Sequence, residues 1–121
     1  MKYALLIYAP PGGPAGAKSV EGVYDSWLDY TVALRQSGAL LAAEQLDLVD
    51  TATTVSLQGS ERLLTDGPFM ETKEHLGGFY LIDVPDLDTA LDWAAKMPIM
   101  RYGNVEVRPV TEGQAWQAGL R

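Results

Sequence analysis

A chain of 121 residues, 47% apolar and 21% charged, has the composition of one globular domain that buries a core without metal or disulfide support. With no cysteine and a single histidine it has no disulfide framework, thiolate nucleophile or Cys-type or His-rich metal centre; only carboxylates remain to hold a hard cation. Nine Lys and Arg against sixteen Asp and Glu leave a net charge of −7, which opposes direct nucleic-acid binding through a basic footprint.

Residues 2–8 alternate two apolar sets, Tyr3/Leu5/Ile7 and Ala4/Leu6/Tyr8. A strand apolar on both faces belongs in the middle of a sheet that is covered on both sides. The apolar run is too short to span a bilayer and no cleavage site follows it, so a cytoplasmic protein without membrane contact is expected. Pro10-Pro11-Gly12-Gly13-Pro14 then opens a loop to about Lys18, without the glycine spacing of a nucleotide-binding loop.

Ser19 is a plausible N-cap, with Glu21 in the first turn at the positive end of the helix dipole. Val20, Val23, Tyr24, Trp27, Leu28, Thr31 and Leu34 recur at helical spacing up to a stop at Gly38. Ala39 to about Val49 reads as extended, interrupted by Glu44 and Gln45. Glu44 either faces the interior, where it needs a cation such as Arg101 or Arg108, or sits blandly at a strand edge.

Thr53–Gln58 and Glu61–Thr65 form a small hairpin about Gly59-Ser60. Asp66-Gly67-Pro68 ends it by turn chemistry. Gly78 to Val84 is the second strand apolar on both faces. Gly77-Gly78 at its start either admits a ligand close to the backbone or marks a bulge. Asp86 caps a second helix with Leu87, Ala90, Leu91 and Ala94 as its buried stripe and Met97 near the border. Asp92 and Lys96 are spaced as an exposed i, i+4 ion pair, and Pro98 ends the helix. Asn104–Pro109 alternates as an edge strand. The single domain spans residues 1–110; the tail 111–121, with Trp116 and Leu120, is expected to dock on the domain or on a partner.

The element order β-α-β-(hairpin)-β-α-β is the split βαβ pattern: α+β, with an antiparallel sheet and an inserted hairpin. It places the two doubly apolar strands in the centre. Two helices cover only one face of such a sheet, and the other exposes more apolar area than a monomer tolerates. A homodimer packed sheet against sheet follows as the expected assembly.

The polar residues crowd between Asp66 and Gly78. Asp66 is either a general base at a strand end or a turn residue whose carboxylate accepts backbone N–H groups. Glu71 with His75 makes a workable acid/base pair, or else belongs to a solvated loop. Trp27, Tyr30 and Phe69 suit an aromatic-lined pocket, joined by Glu44, Gly77 and Gly78, although Trp27 at helical spacing is also ordinary core. No cofactor or metal is implied.

The stretch Thr65-Asp66-Gly67-Pro68-Phe69-Met70-Glu71-Thr72-Lys73-Glu74, followed by Leu76-Gly77-Gly78-Phe79-Tyr80, resembles the signature of DGPF-type proteins, a branch of the YCII-related family. Met1-Lys2-Tyr3 to Tyr8 and Arg101-Tyr102-Gly103 to Pro109 are similar to that family as well. The resemblance implies a ferredoxin-like fold assembled as a dimeric α+β barrel. It also implies members found beside sigma-factor-like regulators, and acid/base chemistry by a recurring histidine and aspartate; the first helix here holds Trp27 and Tyr30 and no histidine. Three readings follow. The first is a small-molecule binder or cofactor-independent acid/base enzyme with a cleft between sheet and helices. The second is a non-catalytic dimeric interaction module, such as a regulatory partner in transcription. The third is a purely structural dimer.

Overall fold

The computed structural model describes residues 1–10, 23–113 and 115–119. The elements run β1 (Lys2–Ala9), α1 (Val23–Gln36), β2 (Leu40–Gln45), β3 (Thr53–Gln58), β4 (Glu61–Asp66), β5 (His75–Asp83), α2 (Leu87–Ala95), β6 (Asn104–Pro109) and α3 (Ala115–Ala118). Short 3-10 turns lie at Val49–Thr51 and Pro98–Arg101. The expected cap at Ser19, the neighbouring Val20 and Glu21, the Pro/Gly loop from residue 11 and Leu120 fall outside the described residues.

Four strands form an antiparallel sheet in the order β2-β5-β1-β6, and β3 pairs only with β4. This is the ferredoxin-like α+β arrangement with an inserted hairpin. The two strands that are apolar on both faces, β1 and β5, occupy the centre as their composition requires. Tyr3, Leu5 and Ile7 of β1 and Tyr80 and Ile82 of β5 pack with Tyr30 and Leu34 of α1 and Ala90 and Ala94 of α2. Leu5, Leu34, Ile82 and Met97 are the largest fully buried side chains; burying each is worth about 1.5–3 kcal/mol.

Several local expectations need correction. β2 stops at Gln45, four residues short of the expected end. Leu46 still donates its N–H to Gly77 O at 2.9 Å, but Asp47 Oδ1 then accepts Leu48 N–H at 2.7 Å and turns the chain out of the sheet. β5 begins three residues early, at His75. Ile7 opposes Gly78 and Tyr8 opposes Leu76, so Gly77 is the extra residue of a bulge. Gly78 instead allows a close backbone approach, since a Cβ there would lie 2.7 Å from the Glu44 carbonyl oxygen.

On α2 the buried line is Ala90, Ala94 and, beyond the helix, Met97, while Leu87 and Leu91 stay 47% and 45% exposed. Alanine lets the helix approach the sheet closely, and Trp93 rather than Leu91 packs beside it. Lys96 stands 5.1 Å over the Trp93 ring instead of pairing with Asp92. The cap is as expected: Asp86 Oδ1 accepts from Thr89 N at 2.8 Å and from Thr89 Oγ1 at 2.7 Å.

The hairpin turns at Gly59, with φ +64°, and ends at Gly67, with φ +100°. Gly67 N–H donates to Ala52 O at 2.7 Å and Gly67 O accepts from Thr54 Oγ1 at 2.8 Å, so the base of the hairpin is pinned by backbone groups. Trp116 on α3 is 88% exposed in the single chain. Among the described residues no helix is long and apolar enough to cross a membrane.

Candidate functional site

The end of the sheet where β2 leaves and β5 enters borders a cleft of about 1100 Å³. Trp27, Leu28 and Thr31 of α1 form one wall and His75 through Tyr80 of β5 the floor. Ala43 through Asp50, at the end of β2 and in the turn after it, complete the described lining together with Ile7, Ala9, Pro10, Ile99 and Tyr102. The lining is largely apolar and aromatic, with a few polar groups, which is the usual chemistry of a small-molecule site.

Tyr80 organises this cleft. Its phenol oxygen is 2.6 Å from Thr31 Oγ1, which ties the central strand to α1. The Trp27 indole lies parallel to the Tyr80 ring, with centroids 6.4 Å apart and planes 5° from parallel. Tyr30 meets Tyr80 edge-on at 5.4 Å and Trp93 edge-on at 6.0 Å, and its hydroxyl donates to Trp93 O at 2.7 Å. Burial pushes the Tyr80 phenol up, against the lowering effect of the Thr31 hydrogen bond. Burial, reinforced by Tyr80, pushes Tyr30 up further. Both phenols therefore stay protonated around neutral pH, and Tyr80 serves by hydrogen bonding and ring contact rather than as a base.

Among the described residues, Glu44, Asp47, Asp50 and His75 are the ionisable side chains of the lining besides the tyrosines, and none of its described residues is a lysine or arginine. Glu44 is exposed and no described hydrogen bond or ion pair occupies it, so it requires no buried cation. Arg108 is instead engaged by Glu106, its Nε donating to Glu106 Oε2 at 2.8 Å. Among the described residues no group of three or more His, Asp or Glu side chains converges to hold a metal ion.

Of the residues singled out in the sequence, Trp27, Glu44, His75, Gly77 and Gly78 come together in the lining. Tyr30 is buried behind it, in the core. Asp66 closes β4 opposite Thr53, exposed and outside the lining; the turn beside it is held by the Gly67 backbone. Glu71 and Phe69 lie on the return from the hairpin, outside the lining, with Phe69 84% exposed. That return segment is anchored by Glu74, whose carboxylate accepts both 3.0 and 2.9 Å bonds from Asn104 Nδ2.

Thr31, Tyr80, Tyr102 and the turn Leu46–Asp50 also line the cleft, and none of them stands out in the sequence as a lining residue. Tyr80 is one of several apolar residues in a central strand, and only the fold sets it opposite Thr31. Asp47 was the readable signal, as a turn former directly after Glu44-Gln45.

The split βαβ sheet with a lateral cleft at the β2–β5 end is that of a ferredoxin-like α+β domain. More particularly, the chain belongs to the YCII-related family, whose family model matches residues 1–114. Over 77 residues it is 42% identical to an uncharacterized protein of Rhizobium meliloti (strain 1021); the match spans 62% of this chain and 62% of that relative.

Proposed function

We propose that the protein binds a small aromatic molecule in the cleft between α1 and the β2–β5 end of the sheet. The observation that carries this reading is the parallel Trp27–Tyr80 pair set into an apolar cleft of about 1100 Å³. The rings offer stacking surface, the Thr31–Tyr80 hydroxyl pair offers a directional polar contact, and His75 can give or take a hydrogen bond. Glu44, Asp47 and Asp50, with no lysine or arginine among the described lining residues, disfavour an anionic ligand and accommodate a neutral or cationic one.

The assembly we infer is a homodimer through the sheet face that the helices leave open. Ala4, Leu6 and Tyr8 of β1 share that face with Phe79 and Leu81 of β5 and Ala42 of β2, by alternation and register. These side chains belong to strands whose opposite face is filled by α1 and α2, and a second copy is the partner whose shape and chemistry match by symmetry.

The test is a thermal-shift and tryptophan-fluorescence titration with three ring systems of similar size: 2-naphthol, the 1-methylquinolinium cation and 2-naphthoate. Binding of the first two, weakened at least tenfold by Trp27→Ala, supports the reading. Absence of binding, or equal binding by the Trp27→Ala protein, overturns it.

A further inference from the structure

The β3–β4 hairpin has two unlike faces. Register places Val55 opposite Leu64 and Leu57 opposite Arg62 on one side, and Thr54 opposite Thr65 and Ser56 opposite Leu63 on the other. Val55, Leu57 and Leu64 are 61%, 71% and 59% exposed, so the apolar face is bare. The two strands pair with each other and, among the described residues, make no extensive contact with any other element. A two-stranded hairpin alone in water is marginal at best, and an amphipathic one needs a surface to lie on.

We propose that this hairpin is an arm that docks its Val55–Leu57–Leu64 face on a second copy of the chain along the β2 edge of that copy's open sheet face, beside the exposed Glu44 and next to the area that the facing sheet covers. The inference rests on the sheet-face dimer proposed above and adds to it a contact that the sheets alone do not make.

Three observations favour a second copy over another partner. First, the arm springs from the sheet itself. β2 ends at Gln45 and β5 starts at His75, antiparallel neighbours, so both roots leave the same end of the sheet. Strands of six residues reach roughly 20 Å, comparable to the length of the sheet they would cross. Second, area favours it. Four strands about 4.8 Å apart and roughly 20–25 Å long present a flat footprint on the order of 400 Å². A standard interface buries about 800 Å² per partner, and an arm on each copy, used twice by symmetry, supplies a second apolar patch.

The third is charge. Arg62 is the only cation on the apolar side of the hairpin, and Glu44 borders the apolar stripe of the sheet beside Phe79. Neither has an ion-pair partner among the described residues. In a chain of net charge −7, an unpaired arginine on the arm facing an unpaired glutamate on the sheet is complementary. Glu44 also lines the cleft, so a docked arm stands at its rim.

Sedimentation equilibrium of the full chain and its variants tests the arm. Leu57→Asp, at a site exposed in the monomer, is expected to weaken the dimer at least a hundredfold while circular dichroism stays unchanged. Arg62→Glu and Glu44→Arg are each expected to weaken it about tenfold, and their combination to restore it to within about threefold. A dimer constant unmoved by Leu57→Asp, where Leu81→Asp dissociates the protein, overturns the arm and leaves the sheet-face dimer standing. Losses in both charge variants without restoration in the pair overturn the placement of the arm at that edge. A wild-type protein monomeric at 100 μM overturns both readings.

Discussion

The Tyr80 hydroxyl lies 2.6 Å from Thr31 Oγ1, a single contact that fastens the central strand to the first helix and fixes the ring against which Trp27 stacks. Removing the oxygen while keeping the ring separates these two effects. Tyr80→Phe is expected to cost about 0.5–1.5 kcal/mol of stability, the worth of one ordinary hydrogen bond, measured as a shift in the urea midpoint. Tyr80→Ala empties ring volume from the core as well and is expected to cost about 3–5 kcal/mol.

The two glycines at the start of β5 have unequal roles. At Gly78 a methyl group would press within 2.7 Å of the Glu44 carbonyl, and backbone on a paired strand yields little. Gly78→Ala is expected to destabilise by about 1–3 kcal/mol. At Gly77 the nearest atom, Ile7 O, is 4.0 Å away, and Gly77→Ala is expected to stay within about 0.5 kcal/mol of wild type. Urea unfolding of both proteins side by side measures the difference.

Alkaline stability depends on the buried phenols. Burial raises the Tyr30 and Tyr80 phenols above their ordinary value near 10. Above that pH the unfolded chain releases phenolic protons that the folded chain retains, so the unfolded chain binds fewer protons than the folded one and stability decreases. The contribution is intact below pH ~10 and is lost as pH rises beyond it. Tyr30→Phe removes the largest of these shifts, and its urea midpoint is expected to fall less steeply than wild type above pH ~10.

The α2 cap works in the opposite direction. Thr89, through its hydroxyl and its backbone N–H, holds the Asp86 carboxyl below its usual range. A lowered carboxyl pKa stabilises the fold above the unfolded value near 4, and that contribution is lost as pH falls below it. Asp86→Asn is expected to flatten the acid limb of the stability profile, whereas Thr89→Ala lowers stability at neutral pH by removing both the hydroxyl bond and its support of the cap.

Asp66 and Glu71 are the most conspicuous carboxylates of the signature stretch, yet both lie outside the cleft lining. Asp66→Ala and Glu71→Ala are expected to leave ligand affinity within about twofold of wild type. His75→Ala, which removes a lining side chain, is expected to weaken it. Fluorescence titration with the same ring compounds measures all three.

Much of the architecture was legible because local patterning and topology agreed. The alternation in residues 2–8 and from Gly78 identified the two central strands, and Asp86 announced the second helix by its capping chemistry. The shorter β2 and the shifted stripe of α2 were not legible for a physical reason. Leu87 and Leu91 have the spacing of a buried face, but Ala90 and Ala94 allow the closer approach, and packing against a sheet decides between them. The site divides in the same way. Trp27, Glu44 and His75 stood out by type, whereas Thr31, Tyr80 and Tyr102 meet only because a helix, a central strand and a turn converge in space. The crowding of Asp66 to Glu74 pointed to chemistry along the sequence; in space Glu74 holds Asn104 and the segment forms the return from the hairpin.

Calorimetric titration of 1-methylquinolinium into wild-type protein and into Trp27→Ala decides whether a ligand sits on the Trp27–Tyr80 pair. Saturable binding at one site per chain is expected, weakened at least tenfold in Trp27→Ala and retained in Asp66→Ala. Binding that survives Trp27→Ala unchanged, or that disappears with Asp66→Ala in a folded protein, contradicts it.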